Sequence, residues 1–129
     1  MAYYFSKLLN VSFDEAVSKV TEGLKKEGFG ILTDIDVQAT LKKKLNADFR
    51  KYRILGACNP PFAYQALQSE DKIGTMLPCN VIVQEHAESK VEVAAIDPVA
   101  SMQAVENAKL KDIAEQVQAK LKKVVDSLS

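Results

Sequence analysis

The sequence predicts an α+β domain of two layers, a largely antiparallel sheet with helices packed on one face. Short runs of branched and aromatic residues are interspersed with segments of helical periodicity, which is the pattern of a mixed domain. Two of the strand-like runs flank one polar turn and are expected to form an adjacent hairpin, which favours antiparallel pairing. The 129 residues fit one domain, and no linker or internal repeat divides the range 1–129.

Composition narrows the classes of function. The chain is 47% hydrophobic and 26% charged, as expected of a folded domain. Seventeen Lys and Arg residues balance seventeen Asp and Glu residues, so no strong positive field exists to attract nucleic acid. The N-terminal segment lacks the apolar core of a secretory signal, and no apolar run reaches the roughly 20 residues that span a bilayer. We therefore expect a cytoplasmic protein with neither nucleic acid nor membrane as a partner.

The first part of the chain predicts a strand, a helix and a second strand. Aromatic and branched residues over 2–11 indicate the first strand, and Ser12 followed by Glu15 is typical of a helix N-terminus. Apolar residues then recur at helical spacing until Gly28, a residue type that readily takes the left-handed conformation at a helix C-terminus. The range 29–36 predicts the second strand.

A short amphipathic helix is predicted over 37–45, where apolar residues are spaced by four. Asp34 and Asp36 precede this helix, and capping of the helix explains the pair better than a cation site does. The lysine triplet 42–44 suggests a phosphate site, but without a glycine-rich loop it is better explained as a solvated helix face.

A strand-to-helix corner is predicted in the middle of the chain. The range 49–57 indicates a third strand, and the next helix begins with Asn59 as its N-cap and Pro60 at the first helical position. Cys58 therefore lies at the corner between the strand and the helix. An irregular connection over 74–78 leads to the following strand.

The last part of the chain predicts the hairpin and a long helix. Strands over 79–86 and 91–96 are separated by the polar turn 87–90. In the first of these strands His86 shares a face with polar residues. No other catalytic or ligand-type residue lies at a sequence spacing that would identify His86 as a ligand. Over 110–128 apolar residues recur at helical spacing, with charged side chains on the opposite face.

The two cysteines are the most informative chemistry-bearing residues. Cys58 ends one predicted strand and Cys79 begins another, so the two thiols approach each other if these strands are antiparallel neighbours. A redox thiol pair, a persulfide carrier and half of a metal site shared across a dimer axis are compatible with such a pair. The spacing is not Cys-x-x-Cys, and His86 is the only histidine, so a zinc site within one chain would need carboxylates. The structural alternative is that each cysteine is a small buried apolar residue.

Common catalytic motifs are absent from the sequence. It contains no Walker loop, no G-x-G-x-x-G, no G-x-S-x-G and no H-E-x-x-H, which removes the commonest nucleotide-binding, hydrolase and zinc-protease interpretations. We therefore assign no catalytic residue, no metal ligand and no cofactor from the sequence.

Three segments carry a resemblance to a known family. They are Tyr52-Arg53-Ile54-Leu55-Gly56-Ala57-Cys58-Asn59-Pro60, Leu77-Pro78-Cys79-Asn80-Val81 and Ile96-Asp97-Pro98, with Ala63 and Leu67 between the first two. Together with the preceding helix around 36–41, these motifs give a chain that resembles, over nearly its whole length, the family named domain of unknown function 302. The resemblance implies a compact α/β domain that forms dimers, with no established activity. It also implies that the cysteines are typical of one branch of the family.

The motif residues predict a site at one end of the sheet. They occupy turns and strand ends, which lie close together if the predicted strand pairing is right. Glycine permits close backbone approach, proline fixes the chain, and asparagine offers both a donor and an acceptor. The residues that we assign to ligand binding are Gly56, Cys58, Asn59, Pro60, Pro78, Cys79 and Asn80. The structural alternative is that they only build the corners.

We expect a homodimeric domain that binds a small molecule or a partner protein near Cys58 and Cys79, without catalysis of its own. The alternative is a thiol-based redox or sulfur-transfer protein that uses the same two cysteines. A third interpretation is a purely structural oligomerisation module, in which changes at the corner alter dimerisation only.

Overall fold

The computed structural model describes residues 2–129, and in it the five predicted strands and four predicted helices occur in the predicted order, together with one short helix and one 3₁₀ segment that the sequence did not predict. The strands are β1 (Tyr4–Leu9), β2 (Gly30–Asp36), β3 (Tyr52–Cys58), β4 (Cys79–Ala87) and β5 (Lys90–Ile96). The helices are α1 (Phe13–Lys26), α2 (Val37–Leu45), α3 (Pro60–Ser69), α4 (Pro98–Ser101) and α5 (Ala108–Asp126), with a 3₁₀ segment at Asp71–Met76.

The strands form one antiparallel sheet in the order β1-β5-β4-β3-β2. β4 and β5 are the predicted hairpin, and β3 pairs with β4 from Tyr52 opposite Gln84 to Ala57 opposite Cys79. β1 pairs with β5 along its whole length, so it lies at one edge of the sheet, and β2 lies at the other. The predicted α+β class with a largely antiparallel sheet is confirmed.

Helices α1 and α5 pack on one face of this sheet, and α3 packs against α5. The strand residues that point to this face, such as Val81, Val83 and Val93, are almost completely buried. α1 begins as the sequence predicts, because the Ser12 hydroxyl accepts a hydrogen bond from the Glu15 amide at 3.2 Å. Among the helices of residues 2–129, none is long and apolar enough to cross a membrane.

The opposite face of the sheet, here called the open face, carries side chains that are mostly half-buried or exposed, although Ala94 is buried. Strand register places Ala94, Ile82, Ile54 and Ile35 side by side across four neighbouring strands. Tyr4, on β1, belongs to the same face and is exposed. The open face therefore holds a continuous apolar row that α1 and α5 do not cover.

Several boundaries differ from the sequence-based prediction: β1 spans Tyr4–Leu9 instead of 2–11, and the last helix spans Ala108–Asp126 instead of 110–128. β3 begins at Tyr52 instead of residue 49: the Phe49 carbonyl accepts from the Gln38 side chain, and the Arg50 guanidinium lies 4.4 Å from the centre of the Phe49 ring. The connection before β4 is not wholly irregular, since the 3₁₀ segment is anchored by the buried side chain of Ile73. Neither this segment nor α4 is long enough to show a helical period in the sequence.

Candidate functional site

The two cysteines lie at the same end of the sheet. Ala57 pairs with Cys79 across β3 and β4, so Cys58, the next residue, ends β3 beside the start of β4. The sequence-based expectation that the two strands are antiparallel neighbours is confirmed. Both cysteines are free thiols and both are half-buried.

A cavity of about 310 Å³ opens at this end of the sheet, and both Cys58 and Cys79 line it. Its walls come from the ends of the strands, from α3, from α4 and from the N-terminal half of α5. α3 contributes Ala63 and Ala66, and α5 contributes Val117 among others. The structure thus gathers residues that are far apart in the sequence around one concave space.

The lining of the cavity is almost entirely apolar. Within residues 2–129, no Asp, Glu, Lys, Arg or His side chain lines it. The polar groups that do so are the two thiols and the amide of Asn59. A lining of this kind suits an uncharged guest, because a buried charge without a partner is costly.

Burial changes the acidity of one of the thiols. Loss of hydration, together with the nearby Cys58, raises the pKa of Cys79 from 9.0 to about 11. Cys79 is therefore a protonated thiol at neutral pH. A nucleophilic or redox cysteine instead needs a lowered pKa, because the thiolate is the reactive form.

Four of the seven residues that the sequence analysis assigned to ligand binding line the cavity: Cys58, Asn59, Pro78 and Cys79. Pro60 is exposed at the start of α3, outside the lining. Asn80 is exposed too, and the alternation along β4 directs it to the open face.

Gly56 is buried in β3 and serves packing instead of lining the cavity. A Cβ atom at this position would lie 2.7 Å from Pro78 Cγ and would also collide with the Thr33 hydroxyl. β2 and the segment before β4 therefore approach the β3 backbone more closely than any side chain would allow.

Asn59 precedes α3 as predicted, but its side chain does not cap the helix. Its amide nitrogen instead donates a hydrogen bond to the carbonyl of Glu27, at 3.2 Å. That carbonyl belongs to the turn between α1 and β2, where Gly28 takes the left-handed conformation with φ of 86°. Asn59, which is only 9% exposed, therefore ties the corner after β3 to the end of α1.

Asp97 supports the cavity from outside its lining. Its carboxylate accepts hydrogen bonds from the amide of Val99 at 3.0 Å and from the side-chain amide of Gln118 at 3.0 and 3.1 Å. These bonds cap α4 and join it to α5, and both helices are walls of the cavity. In the sequence the Ile96-Asp97-Pro98 motif carried only the family resemblance, and it did not indicate this role for Asp97.

The residues from α3, α4 and α5 that line the cavity were missed by the sequence analysis. Ala63, Ala66, Met102, Ile113 and Val117 appear in the sequence as ordinary apolar positions. Their helical spacing shows that they face inward, but it does not show whether the space they face is filled.

The acidic pair before α2 divides between two roles. Asp36 caps α2 by accepting from the Ala39 amide at 2.9 Å, as expected. Asp34 does not cap the helix, which corrects the prediction for this residue. It accepts a hydrogen bond from Arg53 Nε at 2.7 Å instead, and this bond lowers the pKa of its carboxyl.

His86 and the lysine triplet lie outside the cavity. His86 Nε2 lies 3.0 Å from Glu92 Oε1, a partner across the hairpin that spacing along the sequence did not reveal. Gln84 bridges this pair to Arg50, so a polar chain crosses the open face. The lysines at 42–44 are exposed, as expected of a solvated helix face.

Comparison with known proteins shows to which family the chain belongs. Residues 5–128 match the family model described as domain of unknown function DUF302. The crystal structure of an uncharacterized conserved protein, DUF302, from Bacillus stearothermophilus is similar, with a TM-score of 0.91 and 25% sequence identity over 100% of both chains. No curated protein matches the sequence. Because the family model covers nearly the whole chain, this protein belongs to the DUF302 family.

Proposed function

We propose that this domain binds a small, uncharged and mainly apolar molecule in the cavity that Cys58 and Cys79 line. The observation that carries the proposal is the cavity itself, whose volume of about 310 Å³ lies at the lower end of the range for small-molecule sites. A concave, apolar space of this size fits a small molecule better than it fits a protein surface.

The lining determines the expected charge of the ligand. Within the described part of the chain no charged side chain lines the cavity, so a carboxylate or ammonium group would lose its hydration without gaining a counter-ion. The half-buried thiols and the Asn59 amide can contact one polar atom of a ligand at the sheet end. We therefore expect a hydrocarbon or aromatic body with at most one or two neutral polar groups.

The alternative of a thiol-based redox or sulfur-transfer protein has less support. Burial raises the pKa of Cys79 to about 11, so the thiolate needed for attack on a disulfide or persulfide is scarce at neutral pH. The same burial is what a binding site for an apolar molecule requires. The environment of Cys79 thus favours ligand binding over chemistry at that thiol.

Binding can be tested with a neutral fluorescent probe, N-phenyl-1-naphthylamine, whose emission rises in an apolar site. We expect saturable binding of one probe per chain, displaced by 1-octanol but not by octanoate, which has the same hydrocarbon body and a charge. Equal displacement by both compounds would contradict a cavity selective for uncharged molecules. The absence of saturable binding of neutral apolar probes would contradict the proposed function.

A matched pair of variants assigns the binding to this cavity. Ala63→Leu adds three carbon atoms to the α3 wall, and we expect it to weaken probe binding roughly tenfold or more by occupying the space. Ala119→Leu makes the same change at an exposed position of α5 and should leave binding unchanged. Loss of binding in both variants, or in neither, would assign the probe to another place.

We also propose that the domain forms a homodimer through the open face of the sheet. The row of Ala94, Ile82, Ile54 and Ile35 is an apolar strip in which Ile35 is exposed and Ile82 and Ile54 are half-buried, and apolar strips that solvent reaches often mark interfaces. The polar chain beside it contains both Arg50 and Glu92 side chains, so a copy related by a two-fold axis can present opposite charges.

The assembly is tested by light scattering during size-exclusion chromatography. We expect a mass of twice the 14.2 kDa of one chain, and a change to the mass of one chain for Ile82→Lys. Tyr64→Lys, at an exposed position of α3, is the control and should stay dimeric. A monomeric wild type, or a dimeric Ile82→Lys, would reject this interface.

A further inference from the structure

The side chain of Asn59 has a hydrogen-bond partner for its nitrogen but not for its oxygen. Nδ2 donates to the Glu27 carbonyl at 3.2 Å. A carbonyl oxygen accepts hydrogen bonds and cannot donate them, so the nitrogen of the amide group must be the atom that faces Glu27. Within residues 2–129, no group donates a hydrogen bond to Asn59 Oδ1, which takes the other position of the amide.

The residues that follow Asn59 explain why this oxygen lacks a partner. The side chain before a helix usually accepts a hydrogen bond from the backbone amide of the second or third helical residue. Pro60 and Pro61 are the first two residues of α3, and proline has no amide hydrogen, so one of these donors is missing. The third residue, Phe62, makes no capping bond with the Asn59 side chain, whose orientation is set by the bond to Glu27.

The unpartnered oxygen opens into the cavity. Asn59 is only 9% exposed, yet every side-chain nitrogen or oxygen that is sealed inside residues 2–129 has a hydrogen-bond partner. Because Oδ1 has none, it is not sealed and must border an accessible space. Asn59 lines the cavity, whereas Glu27 and Gly28, which lie beside its nitrogen, do not. The accessible edge of Asn59, with Oδ1, therefore lies on the cavity side.

A free acceptor in an apolar cavity discriminates between ligands by their polar groups. The other polar groups of the lining are thiols, which are weak donors and weak acceptors, so Oδ1 is the strongest polar atom there. A hydroxyl group can donate a hydrogen bond to it. The oxygen of an ether or a ketone would face it with lone pairs only and would leave both acceptors unpaired, which is costly away from water.

We infer that Asn59 Oδ1 selects uncharged ligands that carry a hydrogen-bond donor, and that the ligand of this cavity is an alcohol or a phenol. Its hydrocarbon body lies among the apolar side chains of α3 and α5, and its hydroxyl donates to Asn59 at the sheet end. The inference rests on the proposed function, because it names the class of ligand for the same cavity. It goes further in assigning the selection to one atom.

The experiment compares 1-octanol with heptyl methyl ether, an isomer whose oxygen accepts hydrogen bonds but cannot donate them. Each competes with N-phenyl-1-naphthylamine for the full chain, and its dissociation constant is corrected for the affinity of the probe. We expect 1-octanol to bind roughly tenfold more tightly than the ether, because the ether leaves a buried acceptor unpaired.

The outcomes separate this inference from the proposed function. Equal affinities for the two isomers, or tighter binding of the ether, would overturn the role of Asn59 and leave a cavity for uncharged apolar molecules intact. If neither compound displaced the probe, the proposed function would fail, and the inference would fail with it.

Variants assign the preference to Asn59. Asn59→Leu removes Oδ1 at nearly the same side-chain volume, so we expect the ratio of the two affinities to fall to about one, through weaker binding of 1-octanol. Asn59→Ala removes the same oxygen with a smaller side chain and should give the same ratio, which keeps the test available if the leucine variant does not fold. Asn10→Leu, at an exposed asparagine outside the cavity, is the matched control and should keep the preference of the wild type. A preference for the alcohol that persists in a folded Asn59 variant would assign it to another group and overturn the inference.

Discussion

The two halves of α5 make opposite kinds of contact over the same sheet. Toward its C-terminus Leu121 and Val124 are buried in the contact with α1. Toward its N-terminus Ile113 and Val117 line the cavity beside α3. The same helix thus packs closely against α1 at one end and lines an open cavity at the other. Apolar side chains surround it in both places.

The sizes of the facing residues explain this difference. α1 presents Val20 and Leu24 to the core, and at Gly23 a Cβ atom would lie only 3.3 Å from Val124 Cγ1, so the two helices are in close contact. α3 presents Ala63 and Ala66 instead, whose methyl groups cannot reach across the same space. The comparison teaches that small residues on α3 keep the cavity open, which no single apolar position in the sequence reveals.

The largest expected effect compares a leucine of each region. Leu24 is 0% exposed in the filled contact, and Leu67 is 45% exposed at the cavity. We expect Leu24→Ala to lower the free energy of unfolding by about 2–5 kcal/mol, because it leaves an unfilled hole. Leu67→Ala should cost less than about 1 kcal/mol. Urea denaturation measures both, and equal losses would mean that the two contacts are packed alike.

The next effect concerns the reactivity of Cys79, which lines the cavity. In a Cys58→Ser variant, where Cys79 is the remaining thiol, burial should still raise its pKa well above 9.0. At pH 8 we expect iodoacetamide to alkylate the folded protein roughly 100-fold more slowly than the same chain in urea, since a pKa higher by about 2 lowers the thiolate fraction 100-fold. Equal rates would mean that the cavity leaves this thiol hydrated.

The same raised pKa gives the wild-type fold a pH dependence. Between pH 9.0 and about 11 the unfolded chain has lost the Cys79 proton while the folded chain keeps it. The contribution of the Cys79 thiol to the free energy of unfolding is therefore fully present below pH 9 and decreases as the pH rises toward 11. Comparison of urea midpoints at pH 8.5 and 10.5 checks this, with Cys79→Ala expected to lose less stability over that interval than the wild type.

A pair of glycines tests how tightly the sheet is packed beside the cavity. Gly56→Ala places a methyl group 2.7 Å from Pro78 Cγ, so we expect a loss of about 1–3 kcal/mol from overpacking. Gly30→Ala has no atom within 4 Å of the added methyl group and should change stability by less than about 0.5 kcal/mol. Thermal unfolding of both variants and of the wild type measures these losses of stability. A harmless Gly56→Ala would mean that the strand ends beside the cavity are loosely packed.

The smallest effect concerns two asparagines that the sequence placed in one site. Asn59→Ala removes the hydrogen bond to the Glu27 carbonyl and should cost about 1 kcal/mol. Asn80→Ala changes an exposed side chain on the open face and should be nearly neutral in the monomer. Urea midpoints measured at low protein concentration test the pair. Equal costs would contradict the role assigned to Asn59.

The fold was predictable because its signals are local. Strand segments, the Ser12 cap and the β4–β5 hairpin are encoded within a few residues of each position, whereas the pairing of β1 with β5 joins segments far apart in the sequence and was not predicted. The position of Cys58 and Cys79 at the same end of the sheet was also predictable, since it needs only that β3 and β4 are adjacent and antiparallel. The side chain of Asn59 was not, because its partner Glu27 lies 32 residues away and local cap preference favoured a different bond.

The cavity could not be predicted from the sequence for a different reason. Periodicity shows which side of α3 and α5 faces inward, but an unfilled volume depends on the summed sizes of side chains from several elements. Gly56 and Asn80 illustrate the limit. Their motif positions suggested a ligand site, whereas the first accommodates a crowded backbone and the second lies on the open face.

The position of β1 has a consequence for the time course of folding. This strand is made first, yet it pairs only with β5, within residues 2–129, so its hydrogen bonds wait until residue 96 has been synthesised. Lys7 likewise reaches the carbonyl of Asp126, 119 residues away. On the ribosome β1 must therefore remain unpaired until β5 has emerged, and such long-range closure favours slow folding.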